Sequence, residues 1–194
     1  MTKSFPIICI GGSAGGTEAY VEVLQHLPVD TGGAIVIVNH ISRNPTTLHN
    51  FLSRCTTMPV ELITSNLRIK PNHVFVIPSN CELHVLDGEF ILDLKSKRRG
   101  WPNVITVFLR SLASHWSGTI IAVIVSGLDA DGAAAVKEVK NVGGIIIAQT
   151  PEDAEWSDMP ESAIKTGYVD YVLSIKDIAQ KISQIAIEDA NTQN

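Results

Sequence analysis

The stretch Ile7-Ile8-Cys9-Ile10-Gly11-Gly12-Ser13-Ala14-Gly15-Gly16-Thr17 decides the fold. An apolar run closed by glycines reads as a strand buried on both faces, the habit of a parallel sheet. From about Thr17 the pattern becomes helical, with Ala19, Tyr20, Val23, Leu24 and Leu27 on one face. A strand that reverses into a helix this quickly needs small residues at the turn. Beyond this unit, Ala34 to Val38 reads as a second buried strand. Asn44-Pro45 offers a cap and a first-turn proline to a helix carrying Leu48, Phe51 and Leu52.

The middle of the chain changes character. Val60 to Ile63, Val74 to Ile77, Glu82 to Leu86 and Phe90 to Leu94 read as short strands, with Asp87-Gly88 as a hairpin turn between the last two. The basic run Lys95 to Arg99 reads as a solvated flank of that hairpin. From Asn103 the alternation of helix and strand resumes. A helix to about Trp116 (Ile105, Leu109, Leu112 and Trp116 on one face) precedes a very apolar strand, Thr119 to Val125. A helix from about Gly132, a strand at Ile145 to Ala148, a short helix after Met159-Pro160 and a strand near Tyr171 to Leu173 follow. Ser174, with Asp177 three residues on, caps a final helix. The fold class expected is α/β, a doubly wound and mostly parallel sheet with a small antiparallel insertion at about residues 60–95. One domain is expected over residues 1–187, with 188–194 as a frayed polar tail.

Composition narrows the function classes. The 194 residues carry a formal net charge of -5, which argues against a nucleic-acid binder. Cys9, Cys55 and Cys81 are odd in number and lack CxxC spacing, so neither a disulfide framework nor a zinc site is expected. Cys9 falls in the first strand, where a buried free thiol is ordinary. His26, His49, His73, His84 and His115 show no metal-ligand spacing and read as surface or loop residues. Trp101, Trp116 and Trp156 read as core or rim. No cofactor and no metal are expected. The N-terminus lacks an apolar signal segment, and no apolar run is long enough for a membrane span. A soluble, cytoplasmic protein without membrane insertion is the expectation.

A glycine-rich strand-to-helix turn usually holds a phosphate. The dinucleotide fingerprint needs glycine where Ser13 stands and an acid near the end of strand two, where Asn39-His40 is found. A P-loop needs lysine before Thr17, and Gly16 is there instead. Both phosphate readings fail. Gly11-Gly12-Ser13-Ala14-Gly15 does fit G-x-S-x-G, a turn that thrusts a serine hydroxyl into the open beside the N–H groups of a helix start. By itself the motif serves equally well as a packing turn. Its partners add weight: His40 ends the second strand, and Asp131 lies in the loop after the Thr119 to Val125 strand. In a doubly wound sheet these strand ends meet at one edge. A hydroxyl needs a base within reach, and the base needs a carboxylate to fix its tautomer. The arrangement predicts Ser13 and a ring nitrogen of His40 at or slightly beyond hydrogen-bond distance, with His40 facing Asp131. Asp129 is a rival for the carboxylate, and either aspartate could simply cap the helix that follows. The chain order Ser, His, Asp differs from the Ser, Asp, His of the α/β-hydrolases.

Several separated motifs together resemble the catalytic domain of the CheB chemotaxis protein-glutamate methylesterases, from about Ile7 to Ile182. They are the glycine turn, Val38-Asn39-His40, Val74-Phe75-Val76-Ile77-Pro78 and the loop Ser126-Gly127-Leu128-Asp129-Ala130-Asp131-Gly132-Ala133. Gly143-Gly144, Ile147-Ala148-Gln149 and Met159-Pro160-Glu161-Ser162-Ala163-Ile164 complete them. The resemblance implies a Ser-His-Asp hydrolase that removes methyl groups from glutamate esters on the cytoplasmic region of chemoreceptors, releasing methanol. It extends that chemistry to deamidation of receptor glutamines. By the resemblance the nucleophile falls on Ser13, the base on His40 and the acid on Asp131, which the following glycine favours over Asp129.

Departures from the family pattern are equally legible. Asp129 stands where the family loop has glycine, a strained substitution if the backbone there has positive φ. Ile105 replaces an aspartate, and Glu161 an arginine. The family usually begins with a phosphorylatable receiver domain for which this chain has no room, so control by phosphorylation in cis is expected to be absent. A catalytically silent adaptor of a chemosensory system is the alternative class. The triad residues favour the hydrolase; Asp129, Ile105 and Glu161 are what the adaptor reading rests on.

Overall fold

A computed structural model describes residues 5–40, 45–94 and 103–192. Its centre is β1 (Ile7–Gly12), every residue of which is buried. The chain turns into α1 (Gly16–His26) and returns as β2 (Ala34–Asn39), parallel to β1 with Ile7 beside Ala34. After α2 (Pro45–Leu52) come β3 (Val60–Leu62), β4 (Leu67–Arg68), β5 (His73–Val76), β6 (Cys81–Leu86) and β7 (Glu89–Leu94). α3 (Val104–His115) leads into β8 (Ile120–Ile124), and a short 3-10 turn into α4 (Val136–Asn141). β9 (Ile145–Gln149), α5 (Asp158–Lys165), β10 (Tyr171–Leu173) and α6 (Ile175–Thr192) complete the order.

The main sheet has seven parallel strands in the order β10-β9-β8-β1-β2-β5-β3. From β1 the chain winds outward through β2, and from β8 it winds the opposite way. The strand order therefore reverses between β1 and β8, the place where ligands bind in open α/β sheets. One face is covered by α1, α2 and α6, through Tyr20, Leu24, Leu52, Ile178 and Ile182. The other is covered by α3, α4, α5 and the small antiparallel sheet, through Phe108, Leu109, Val136, Met159 and Phe90. Phe90 stands edge-on to Phe75 at 5.0 Å between ring centroids, which fastens the small sheet to β5.

The antiparallel insertion is present but narrower than its expected bounds. Among the described residues it is formed by β4, β7 and β6, with Asp87 and Gly88 at φ 51° and 79° in the hairpin turn. Val60–Leu62 and His73–Val76 instead pair in parallel within the main sheet. Of the apolar residues on α2, Leu48 and Leu52 are buried and Phe51 is exposed. α5 begins before Met159-Pro160 rather than after, because a proline in the first helical turn loses no internal hydrogen bond. Ser174 caps α6 by accepting from the Asp177 N–H at 3.3 Å, while its hydroxyl donates to Asp177 Oδ2. The helix then continues through the expected polar tail to Thr192, whose hydroxyl donates to the Glu188 carbonyl. Asn44, Lys95 to Arg99 and Trp101 lie outside the described residues. Among the described residues no helix is long and apolar enough to cross a membrane.

Candidate active site

Ser13 follows β1 directly, in the turn to α1. Gly15 takes φ 71°, a left-handed conformation that a side chain would strain. The Gly16 N–H closes the turn on the Ser13 carbonyl at 3.0 Å. The elbow is tied to the end of β8, since the Ser13 N–H donates to the Ser126 carbonyl at 2.9 Å. Ser126 Oγ donates to the Ala14 carbonyl and accepts from the Trp156 N–H. The Ser126 N–H donates to Gln149 Oε1, and Gln149 Nε2 donates to the Asp153 carbonyl. Buried Ser126 and Gln149 thus lock three strand ends together. In the sequence they were only landmarks, although a glutamine ending an apolar strand signals an obligatory internal partner.

Asp131 reaches the same edge from the loop after β8. Its carboxylate sits on the first turn of α3, where the Ile105 N–H donates to Oδ2 and the Thr106 N–H to Oδ1, both at 2.8 Å. A helix N-terminus is a natural seat for an anion. The Gly132 N–H also donates to Oδ1, and Thr106 Oγ1 accepts from the same N–H. Ile105 therefore serves the site through its backbone. Its side chain packs on Gly11, where a methyl group would come within 2.7 Å of Ile105 Cγ2.

His40 follows β2. Its Nε2 donates to Asp131 Oδ2 at 2.6 Å, and its Nδ1 lies 2.9 Å from Asp129 Oδ2. The Nδ1 contact is an ion pair without hydrogen-bond alignment. Asp129 is itself oriented, because its Oδ1 accepts from the Asp131 N–H at 2.8 Å. Its backbone avoids positive φ, so the strain expected of a non-glycine residue there does not arise. Ser13 and His40 share no hydrogen bond, since both ring nitrogens of His40 are turned to carboxylates. Ser13 remains adjacent to the aspartate loop: a methyl group on Gly127 would come within 3.1 Å of its Cβ. Glu161 lies apart from these contacts, bonded to Ser157 and Lys165.

Burial opposes a charge on His40, but contacts with Asp129 and Asp131 outweigh it and raise the pKa from 6.5 to about 9. For Asp131, burial is again the opposing effect. Hydrogen bonds from His40 and from the side chain and N–H groups at the start of α3 overcome it and lower the pKa. A histidine raised on folding stabilises the protein fully below its unfolded pKa, and that stabilisation is lost as pH rises through the folded value. Between pH 6.5 and 9.5 the unfolding free energy should therefore fall by an amount on the order of 3 kcal/mol. Urea melts across this range test it; a decline equally steep in His40→Gln would remove His40 as the cause.

Residues 8–182 match the family model described as CheB methylesterase. A Leptospira interrogans protein, provisionally named protein-glutamate methylesterase/protein-glutamine glutaminase, is 33% identical over 179 residues, 91% of this chain and 93% of its own. A Burkholderia thailandensis protein-glutamate methylesterase/protein-glutamine glutaminase is 28% identical over 190 residues, 97% of this chain but 55% of its own. The crystal structure of the Thermotoga maritima CheB methylesterase catalytic domain superposes with a TM-score of 0.87 at 29% identity, covering 94% of this chain and 99% of that one. With the family model matched over residues 8–182 and a relative 33% identical across nearly the whole of both chains, this chain belongs to the CheB methylesterase family.

Proposed function

We propose that this protein hydrolyses glutamate methyl esters on the cytoplasmic region of chemoreceptors to glutamate and methanol, and deamidates receptor glutamines, with Ser13, His40 and Asp131 as its catalytic triad. The observation that carries the reading is the His40–Asp131 pair at the switch point of the sheet, with Asp131 anchored on α3. Because Nε2 is bound to Asp131, Nδ1 is the nitrogen left to take the Ser13 proton. The hydroxyl oxygen then attacks the ester carbonyl. The negative charge that develops on the carbonyl oxygen falls near the start of α1, whose dipole favours an anion. Protonated His40 returns its proton to the departing methoxide, giving methanol and an acyl-Ser13 ester. A water molecule, deprotonated by the same ring, cleaves that ester to release glutamate. Glutamine follows the same path with ammonia as the leaving group. A cytoplasmic location suits this substrate.

The test is methanol release from a methylated receptor fragment, run beside labelling with a serine-reactive fluorophosphonate. Methanol should accumulate with the purified protein, and labelling should suppress it. A protein that neither releases methanol nor labels would leave the adaptor reading standing.

A further inference from the structure

Asp129 is used by none of the steps above, yet it sits on the ring that performs them. Its side chain is 11% exposed, and those of His40 and Asp131 are 5% and 1% exposed, so water screens the group poorly. Oδ1 is committed to the Asp131 N–H, which aims Oδ2 at Nδ1 of His40. An imidazole flanked by a carboxylate at each nitrogen is stable only as the imidazolium, since removal of either proton leaves an anion facing a lone pair. The same Nδ1 must accept the serine proton. One position is thus claimed by two groups.

We propose that Asp129 is a positioning residue that holds this site in a resting state, occupying the Nδ1 side of His40 until its carboxylate is released, and thereby setting the acid limb of the pH–rate profile. The proposal rests on His40 being the base for Ser13. Release comes from deprotonation of the ring at alkaline pH, or from a substrate that draws the Asp129 carboxylate away. The contact is suited to release: it lacks hydrogen-bond alignment, whereas the Asp131 contact has it at 2.6 Å. A substrate carrying a cationic group beside the glutamyl ester would compete for Asp129 most directly.

Among the described residues, the other ionisable groups near the ring do not offer the same control. Cys9 in β1 is buried, which pushes its thiol far above the usual range and keeps it neutral. Glu155 packs against Gly15 in the elbow. The first turn of α3 brings backbone N–H groups and no ionisable side chain to Asp131. Asp131 is shared by both states, because its contact is needed at rest and during turnover. Only Asp129 separates them.

The experiment follows His40 by imidazole nitrogen NMR against pH in the wild type, in Asp129→Asn and in Asp129→Gly, and measures fluorophosphonate labelling rates over the same range. Asparagine keeps an Oδ1 acceptor for the Asp131 N–H, and glycine is the residue usual at this place in the family loop, so at least one variant should fold undisturbed. In the wild type the ring should titrate near 9. Both variants should titrate at least one pH unit lower, with the acid limb of labelling moving in parallel. At pH 7 that makes labelling about tenfold faster for each unit moved, provided the neutral ring is the reactive form. Labelling with an unmoved titration, or a moved titration with an unmoved limb, overturns the role of Asp129 and leaves the hydrolase standing. Absence of labelling in all three proteins at every pH overturns the hydrolase reading and this proposal with it.

Discussion

Asp131→Asn should retain about one part in 10⁴ of the wild-type kcat, a loss of roughly 5 kcal/mol in transition-state stabilisation, with KM little changed. In the proposed triad the aspartate has two duties that asparagine cannot perform together. Its charge stabilises the imidazolium formed when Ser13 gives up its proton, and its Oδ2 accepts from Nε2 so that Nδ1 is left for the serine. An amide that turned its NH₂ toward Nε2 would select the opposite tautomer. The fold should survive, because the amide oxygen can still accept from the start of α3. Circular dichroism and kinetics on a methylated receptor fragment check both points. Asp129→Asn should stay active under the same conditions. If Asp129→Asn is the dead variant and Asp131→Asn the live one, the acid has been assigned two residues too late.

Ser13→Ala should cost more, about 10⁶-fold in kcat, since loss of a nucleophile in an acyl-transfer triad removes the covalent route altogether. Fluorophosphonate labelling should disappear with it. Stability should barely change: Ser13 is half-buried, and the described residues offer its hydroxyl no hydrogen bond to lose. This separates the variant from substitutions in the elbow that act by unfolding. A Ser13→Ala protein that still releases methanol at more than a thousandth of the wild-type rate would mean that a different group attacks the ester.

The sheet was readable from the sequence where burial on both faces leaves a continuous apolar run, as in Ile7 to Ile10, Ala34 to Val38 and Thr119 to Val125. Residues that shape their own backbone were readable too, such as Asp87-Gly88 and the Ser174 cap. Partner choice for short strands was not. Val60–Leu62 and His73–Val76 carry nothing that separates a parallel edge pair from a hairpin, and two-residue β4 carries no periodicity at all. The polar end of α6 looked frayed, yet the helix runs on to Thr192 from Ile185 and Ala186, which are buried just before the polar tail. His40 and Asp131 were brought to one edge by strand order alone. The Asp129 contact depends on a side-chain rotamer and an Asp131 N–H bond, which sequence spacing records only as two carboxylates in one loop.

The order of the strands has a consequence for the newly made chain. Ser13 and His40 belong to the first β-α-β unit, whereas Asp131 follows His40 by 91 residues. The carboxylate must wait for α3 and β8, and its closure on His40 spans more of the chain than separates His40 from Ser13. Synthesis runs from the N-terminus, and a domain folds as a unit once its elements have been made. A nascent chain stopped anywhere before β8 therefore holds Ser13 and His40 without the aspartate that the proposed mechanism requires. On the proposed mechanism, hydrolytic competence arrives only once Asp131 is in place, so a copy cut short before that residue should be inert toward the esters of its neighbours.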